Sequence, residues 1–389
     1  MQDQTKSRRV VIIQWYVPRY RVAFYNDLRT ALAHVGIELS LGYGTPAGDQ
    51  ADRGDAVDLQ WATPLVSRSH RFGSRTLESR HLGGICRGAD LVVVEQALKN
   101  LESFPLLAKA KFGGARVAMW GHGRTYTKPQ TRTLEFLKQH LTKRADWFFA
   151  YTECGAEHLR RGGYPAGRLT VVQNASDTRG LRDARDRITE SDVAAFRRRY
   201  GIDGRKIGVF VGALDESKRL EFLLEASRAI SEQIERFQVL IVGDGPQRSF
   251  IEAAARRTPY LRYLGPLFGN ERAPLGAVGD VLLMPGRVGL AILDAFSLGL
   301  PVVTTDWPFH APEFEYLEHG RNGWITEDNK VAFVSGVINV LDHESLLRSL
   351  QRQSAADAER YTIDAMVQRF VHGIQQAIDA PRRSLGWSR

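Results

Sequence analysis

The stretch MPGRVGLAILDAF at 284–296 has the residue types of an anion site. It closes a short apolar run. Gly286 and Gly289 then let the backbone approach a ligand closely or take a positive φ, and a helical apolar pattern follows from about Gly289. A strand that turns sharply into a helix leaves the first helical N–H groups pointing out of the strand end, where they can hold a phosphate. A glycine turn that only tightens the connection uses the same residues. In VGALDESKR at 211–219, Lys218 and Arg219 stand at a second expected helix start. Cations are unfavourable there unless an anion offsets the helix dipole or water solvates them. VGDGP at 242–246 ends another strand with a turn and a helix-opening proline, and reads as architectural. His122, flanked by Gly121 and Gly123 after an apolar run, is either a structural hydrogen-bonder or a group at the reacting end of a substrate. FHAPEFE at 309–315 adds His310, Glu313 and Glu315, with Glu313 the better candidate for a substrate contact and helix capping its other reading.

These residues sit between short apolar runs that alternate with helical patterns, the arrangement of parallel strands with crossover helices. Strands are expected at 10–14, 38–43, 91–95, 116–120, 147–151 and 169–172, with a helix over 23–35. A second series follows at 207–211, 237–242, 261–264, 281–284, 301–304 and 323–325. Residues 44–88 mix Gly, Asp, Arg and Ser and read as long loops with one or two short elements. The polar stretch 174–204 marks a domain boundary and includes a helix over 191–200. From Ser345 the tail is helical until Pro381.

At roughly 150 residues per domain, the 389 residues suggest two domains. Two cysteines, Cys86 and Cys154, are too few for a disulfide framework or a Cys-based metal site. The apolar run at the N-terminus is too short for a signal peptide, and no stretch approaches the roughly 18 apolar residues of a membrane span. The +9 charge lies entirely in the first half: residues 1–177 carry 25 Lys plus Arg against 16 Asp plus Glu, and residues 178–389 carry 28 of each. That half is expected to face phosphate groups, nucleic acid or an anionic membrane. Arg19, Arg21, the arginines of 68–80, Arg160, Arg161, Lys143 and Arg144 form its clusters. The helix expected over 131–143, with Leu134, Leu137 and Leu141 beside Arg132, Lys138 and Lys143, has mostly the ordinary amphipathic pattern of a helix lying on a sheet, with a membrane-surface helix as its other reading. No nucleic-acid motif accompanies the charge.

In order and spacing, six segments resemble the second domain of glycosyltransferase family 4, retaining enzymes of the GT-B fold that use nucleotide sugars. They are Gly212 to Lys218, Gly243 to Pro246, Tyr263-Leu264-Gly265, Gly289-Leu290, Gly299 to Val303, and Asn322-Gly323. The resemblance covers roughly 207–325. Asn174 to Asp177 and the Gly-His-Gly at 121–123 extend it more loosely into the first half.

The resemblance implies an α/β fold of two doubly wound Rossmann-like domains facing a central cleft. Residues 1–177 would take the acceptor, 178–204 would be linker and hinge, and 205–364 would bind the donor, with a helix at about 365–389 packing back on the first domain. It places Lys218, helped by Arg219, and the N–H groups of Gly289 and Leu290 on the donor diphosphate. Gly286, Arg287 and Val288 would line the same turn. Asp294 would hold the ribose, Leu264 and Gly265 would meet the base, and Glu313 the sugar. His122 would lie beside the transferred sugar, and Tyr16, Arg19 and Arg21 would form an acceptor or donor loop. A lysine and a helix start stabilise a diphosphate leaving group, so no metal or other cofactor is expected. Three departures stand out: Ala213 replaces a usual Arg, Gly286 replaces the first of two usual glutamates (Asp294 standing for the second), and the first loop lacks a glycine pair.

The expected activity is transfer of a sugar from a nucleoside-diphosphate sugar to an acceptor hydroxyl with retention, in polysaccharide, glycolipid or other glycoconjugate biosynthesis. A catalytically weakened GT-B partner or nucleotide-sugar-binding subunit is the alternative raised by Ala213 and Gly286. The basic half predicts an anionic or lipid-linked acceptor and peripheral contact with an anionic membrane, without specific nucleic-acid binding. The expected place is the cytoplasm, at the inner face of the cell membrane.

Overall fold

A computed structural model describes residues 7–46, 51, 54–72, 75–126 and 131–382. The chain divides into two units, one running to Ser176 and taken up again from Ile363, the other spanning Asp177–Thr362.

The first unit is built on seven strands. In chain order they are β1 (Arg8–Gln14), β2 (Ile37–Tyr43), β3 (Thr63–Pro64), and, after a separate hairpin of β4 (Ser67–Phe72) and β5 (Arg75–Arg80), β6 (Leu91–Glu95), β7 (Arg116–Gly121), β8 (Trp147–Ala150) and β9 (Leu169–Val171). The sheet order is β3-β2-β1-β6-β7-β8-β9, all parallel, so the strand order reverses between β1 and β6. Parallel strands covered on both faces read as unbroken apolar runs, which is why VVII at 10–13 and LVVV at 91–94 are wholly buried. Helix α1 (Val22–His34) connects β1 to β2. Helices α2 (Ser103–Lys111), α3 (Arg132–Thr142) and α4 (Glu153–Arg161) connect the strands from β6 to β9. Right-handed crossovers advancing in one direction put these three on the same face.

The second unit opens with α5 (Arg179–Asp186) and α6 (Glu190–Tyr200), followed by β10 (Lys206–Val211), α7 (Leu220–Ser231), β11 (Phe237–Val242), α8 (Arg248–Arg257), β12 (Leu261–Gly265), α9 (Pro274–Val278), β13 (Val281–Leu283), α10 (Ala291–Leu298), β14 (Val302–Thr305), β15 (Gly323–Thr326), α11 (Lys330–Asp342) and α12 (Glu344–Arg360). Its sheet runs β12-β11-β10-β13-β14-β15, again parallel, and reverses between β10 and β13. Helix α13 (Ile363–Asp379) belongs to the first unit: it packs on α1, and Phe370 stacks on Phe149 at 4.4 Å.

Residues 178–204, read from sequence as linker and hinge, form α5 and α6 inside the second unit, packed against α10 and α9 respectively. A capping box between Thr189 and Asp192 starts α6, and Gly201, at φ 62, ends it. The short elements expected within the loops of 44–88, whose type the sequence left open, include the antiparallel β4–β5 hairpin. Its inward side chains include Glu78 and Arg80, each only 5% exposed, so it has no apolar alternation to reveal it. The helix read to about 389 is described to 382 and ends at Asp379.

Candidate functional site

In an open parallel sheet, the crevice beyond the carboxyl ends of the strands on either side of the order reversal is the natural ligand site. In the second unit those strands are β10 and β13. The loop after β10 carries Lys218 and the loop after β13 carries Gly286 to Leu290. Asp215 shapes the first loop: its carboxylate accepts the Ser217 N–H at 2.9 Å and caps a short turn over Glu216–Lys218. The loop then lies directly on the second. A Cβ on Gly286 would stand 2.5 Å from the Lys218 carbonyl carbon and 2.5 Å from the Ser217 oxygen, so only glycine allows this approach. The Arg287 N–H donates to the Ser217 carbonyl at 2.8 Å, and Lys218 Nζ donates to the Arg287 carbonyl at 2.6 Å. The glycine that replaces a usual glutamate is therefore a packing requirement of the lysine loop.

The far side of the second loop is tied to β14 and the segment after it. Thr304 and Thr305 hydroxyls donate to the carbonyls of Met284 and Pro285, at 2.7 and 3.2 Å. The Val288 N–H donates to His310 Nδ1 at 3.0 Å, and the Val288 carbonyl accepts from the Ala311 N–H at 2.9 Å. Val288, 1% exposed, thus has both backbone groups engaged and its side chain in the core, contrary to its expected part in binding a donor. Gly289 and Leu290 follow, immediately before α10, where the first turn leaves N–H groups without intrahelical partners. The helix begins at Ala291, with Leu290 in the cap position, two residues later than the sequence pattern suggests. Glu313 is 3% exposed, and its Oε2 would be 3.9 Å from a Cβ on Gly289, so its carboxylate borders this turn.

Lys218 is half-buried, and burial pushes its pKa down to about 8, with Arg287 adding to the fall and Asp215 opposing it. Its ammonium has three donors, one of them given to Arg287. Arg219 does not share the Lys218 position. It takes the left-handed conformation at φ 54, donates to the Pro285 carbonyl at 3.3 Å, pairs with Asp328 and lies over the Phe222 ring at 4.5 Å. Its charge is committed to holding the loop, which corrects its expected place on a phosphate. Arg287 turns its Nε to the Phe309 carbonyl at 3.2 Å. Asp294, on the first turn of α10, forms a 2.5 Å ion pair with Arg272. Burial pushes its carboxyl up while Arg272 pulls the other way. A ribose reaching Asp294 would meet this pair rather than a lone carboxylate. Leu264 is 7% exposed, with its side chain in the core, so a base near 264–265 would meet backbone and Gly265, which sits at φ 76.

In the first unit, His122 lies on the surface at the end of β7, on a loop clamped by Gln96. The Gln96 amide donates to the Gly123 carbonyl at 3.3 Å and accepts the Gly123 N–H at 3.0 Å. The His122 ring lies edge-on to Tyr151 at 4.4 Å. The first loop, expected to meet the acceptor or donor, is largely engaged within its own unit. The Tyr16 hydroxyl donates to Asp55 at 3.1 Å and the residue is 6% exposed, while the Arg19 N–H donates to the Asp55 carbonyl and its side chain reaches solvent. Arg21 is 3% exposed. Its guanidinium donates to the Ala175 carbonyl and the Asn174 side chain and lies 5.1 Å from the Trp120 ring centre. Arg21 is a core cation, not a surface one. Gln96, Arg272 and Asp328 were not singled out from sequence, because isolated polar residues carry no periodic signal. Among the described residues, no three His, Cys, Asp or Glu are grouped to hold a metal ion.

The second unit also carries a family signature. Residues 205–343 match the family model for glycosyl transferases group 1. The match spans the second-unit part of the site, from Lys218 to Glu313, and not the His122 loop of the first unit; glycosyltransferases are also among the relatives. The alpha-D-kanosaminyltransferase of Streptomyces kanamyceticus is 25% identical over 59% of this chain and 60% of its own length. The GDP-mannose-dependent alpha-mannosyltransferase of Mycobacterium tuberculosis is 29% identical over 57% of each. The chain thus spans about three fifths of the length of these two relatives. Among solved structures, Anabaena Alr3699/HepE in complex with UDP superposes with a TM-score of 0.67 at 14% identity, over 95% of this chain and all of that one. That likeness establishes the fold, a GT-B fold of two Rossmann-like units.

Proposed function

We propose that this protein transfers a sugar from a nucleoside-diphosphate sugar to an acceptor hydroxyl with retention of configuration. The observation that carries the reading is the Lys218 loop seated on Gly286 where the strand order reverses, within the segment that matches the group 1 family. Breaking the bond from sugar to diphosphate leaves negative charge on the departing phosphate. The Lys218 ammonium and the N–H groups of Gly289 and Leu290 are prearranged to stabilise it, without reorganisation at the moment of reaction. In this reading the second unit takes the donor and the first, which carries His122, the acceptor. Lys218 and the helix start supply the charge stabilisation, so the step assigned here requires no metal. Both relatives are named for alpha linkages, which retention from an α-linked donor would yield.

The test is a thermal-shift series of the full chain with UDP, GDP and ADP and their glucose and mannose conjugates, followed by assay of nucleoside-diphosphate release. A ligand at 100 times its Kd stabilises the folded state by about 2.7 kcal/mol. A shift with at least one nucleotide, and release of diphosphate from its sugar conjugate, is the expected result. A shift without release would favour the weakened-partner reading raised by Ala213, and no shift with any of them would end the proposal.

The acceptor reading rests on the charge of the first unit, which the fold redistributes. Arg21 is buried. Arg80 is paired with Glu102 in the interior, and Arg160 and Arg161 are paired with Glu153 and Glu157. Exposed cations of the first unit include Arg19, Arg68 and Arg124 on its loops and hairpin, and Lys109, Lys111, Lys143 and Arg144 on and just after α2 and α3. Beside them Phe136 is 67% and Leu137 48% exposed, so Leu137 does not join Leu141 in the core as the amphipathic reading of that helix expects. Phe112 is 87% exposed at the end of α2. Apolar residues among cations on one face suit an anionic membrane surface carrying a lipid-linked acceptor. No helix among the described residues is long and apolar enough to cross a membrane. Co-sedimentation should show binding to mixed phosphatidylcholine and phosphatidylglycerol vesicles but not to pure phosphatidylcholine. Phe136→Ser with Leu137→Ser should weaken it about 10–100-fold, and Lys143→Gln with Arg144→Gln by about tenfold or more. Equal binding by all variants, or none by the wild type, would remove the membrane from the proposal.

A further inference from the structure

His310 was one of several polar residues after β14. Its surroundings give it a definite place in the donor site, an assignment that rests on the donor reading above. Nδ1 accepts the Val288 N–H and Nε2 lies 2.8 Å from the Thr305 carbonyl, an atom that can only accept. Those two partners specify one species, the neutral imidazole protonated on Nε2. The ring cannot turn out of this position, because it stacks on Phe314 with centroids 4.1 Å apart and planes 12° apart, and the residue is 5% exposed. An imidazolium would present a proton to the Val288 N–H. Burial, with Lys218 and Arg219 nearby, holds the pKa down at about 4, although the Thr305 bond and Asp328 oppose this.

The consequence falls on the neighbouring residues. Once His310 and Ala311 have taken both backbone groups of Val288, the loop cannot rotate about that residue. The next two N–H groups, those of Gly289 and Leu290, are then delivered together at the start of α10. We propose that His310 is a positioning residue that sets the register of the diphosphate cradle, determining which N–H groups face the terminal phosphate of the departing nucleotide. It touches neither donor nor sugar and acts through Val288.

This predicts a loss confined to the terminal phosphate. Isothermal titration of the full chain with a nucleoside diphosphate and with the corresponding monophosphate, UDP and UMP or the pair of whichever base gives the larger thermal shift, separates the terminal phosphate from the rest of the nucleotide. His310→Phe keeps a flat stacked ring but loses both hydrogen bonds. It should weaken the diphosphate about tenfold and the monophosphate by less than about twofold, collapsing the preference for the diphosphate. His310→Asn, whose side-chain oxygen can stand near the position of Nδ1, should recover most of that preference. If the ring is only a packing element, both nucleotides weaken together in step with the fall in Tm, and Asn, which packs worse than Phe, is the poorer variant. That pattern, or an undiminished preference in His310→Phe, would overturn the assignment. A wild type that binds neither nucleotide would overturn the donor reading, and the His310 assignment with it.

Discussion

Lys218→Met is expected to lower kcat/KM for sugar transfer by about 10²–10³-fold, the loss typical of removing one group that stabilises charge in a transition state. Methionine keeps most of the length and apolar stem of lysine. The fold should not suffer, because the cation it replaces is half-buried and already has its pKa depressed to about 8 by that burial. Tm should hold or rise slightly while turnover collapses. The same residue makes a pH prediction whose sign follows from its charge. The ammonium is the active form, so kcat/KM should be level below pH 8 and fall as pH rises through it and the group becomes neutral. In Lys218→Met that alkaline limb should vanish from whatever residual activity remains. Normal turnover in the variant, or a limb that survives the substitution, would show that Lys218 is not the phosphate cation.

Gly286→Ala should be nearly as damaging, although it adds one methyl group and removes no hydrogen-bonding atom. The new carbon would fall 2.5–2.6 Å from three backbone atoms of Ser217 and Lys218, and backbone, unlike the end of a side chain, cannot swing aside. The lysine loop must lift, which disturbs the 2.8 Å bond from the Arg287 N–H to Ser217 and moves Lys218 off its anchor on the Arg287 carbonyl. Overpacking of this kind costs about 1–3 kcal/mol of stability. A displacement near 1 Å at a site of preorganised charge costs about 100-fold in rate. Gly286→Glu, which would restore the residue usual at this position in the family, should be worse still, because it adds a longer side chain to the same clash. Steady-state kinetics with Tm measured alongside will distinguish these effects. If Gly286→Glu gains activity, the loops have room to separate, and the glycine is a lost ligand rather than a packing requirement.

Most of the fold was legible because parallel strands buried on both faces leave uninterrupted apolar runs. FQVLIV at 237–242, apolar but for Gln238, forms β11 with the bounds read from the sequence, and all six residues are buried. What the sequence left unspecified had a different source of stability. The β4–β5 hairpin presents Glu78 to Ser69 at 2.8 Å and Arg80 to Glu102, so its inward face is polar and paired. Hydrophobic periodicity has no hold on such a segment. The positive charge misled for the same reason: the sequence counts Arg21 and Arg80 as surface cations, whereas aromatic rings and carboxylates bury both.

By itself the sequence determined the class of the molecule, two parallel α/β units, and the two loops that carry the candidate chemistry, because strand runs, turn glycines and helix starts are local signals read a few residues at a time. It could not determine which groups in those loops remain available to a ligand. Arg219, Val288 and Arg21 were expected at a site, and each is engaged elsewhere by residues 22 to 345 positions away in the chain. For Val288 the partner is His310, 22 residues on, yet brought to it only when β13 and β14 pair. A backbone donor or a buried cation must find a partner once water is withdrawn. Which partner it finds depends on what the tertiary fold brings alongside, and that left Lys218, Gly289 and Leu290 as the groups presented at the strand ends.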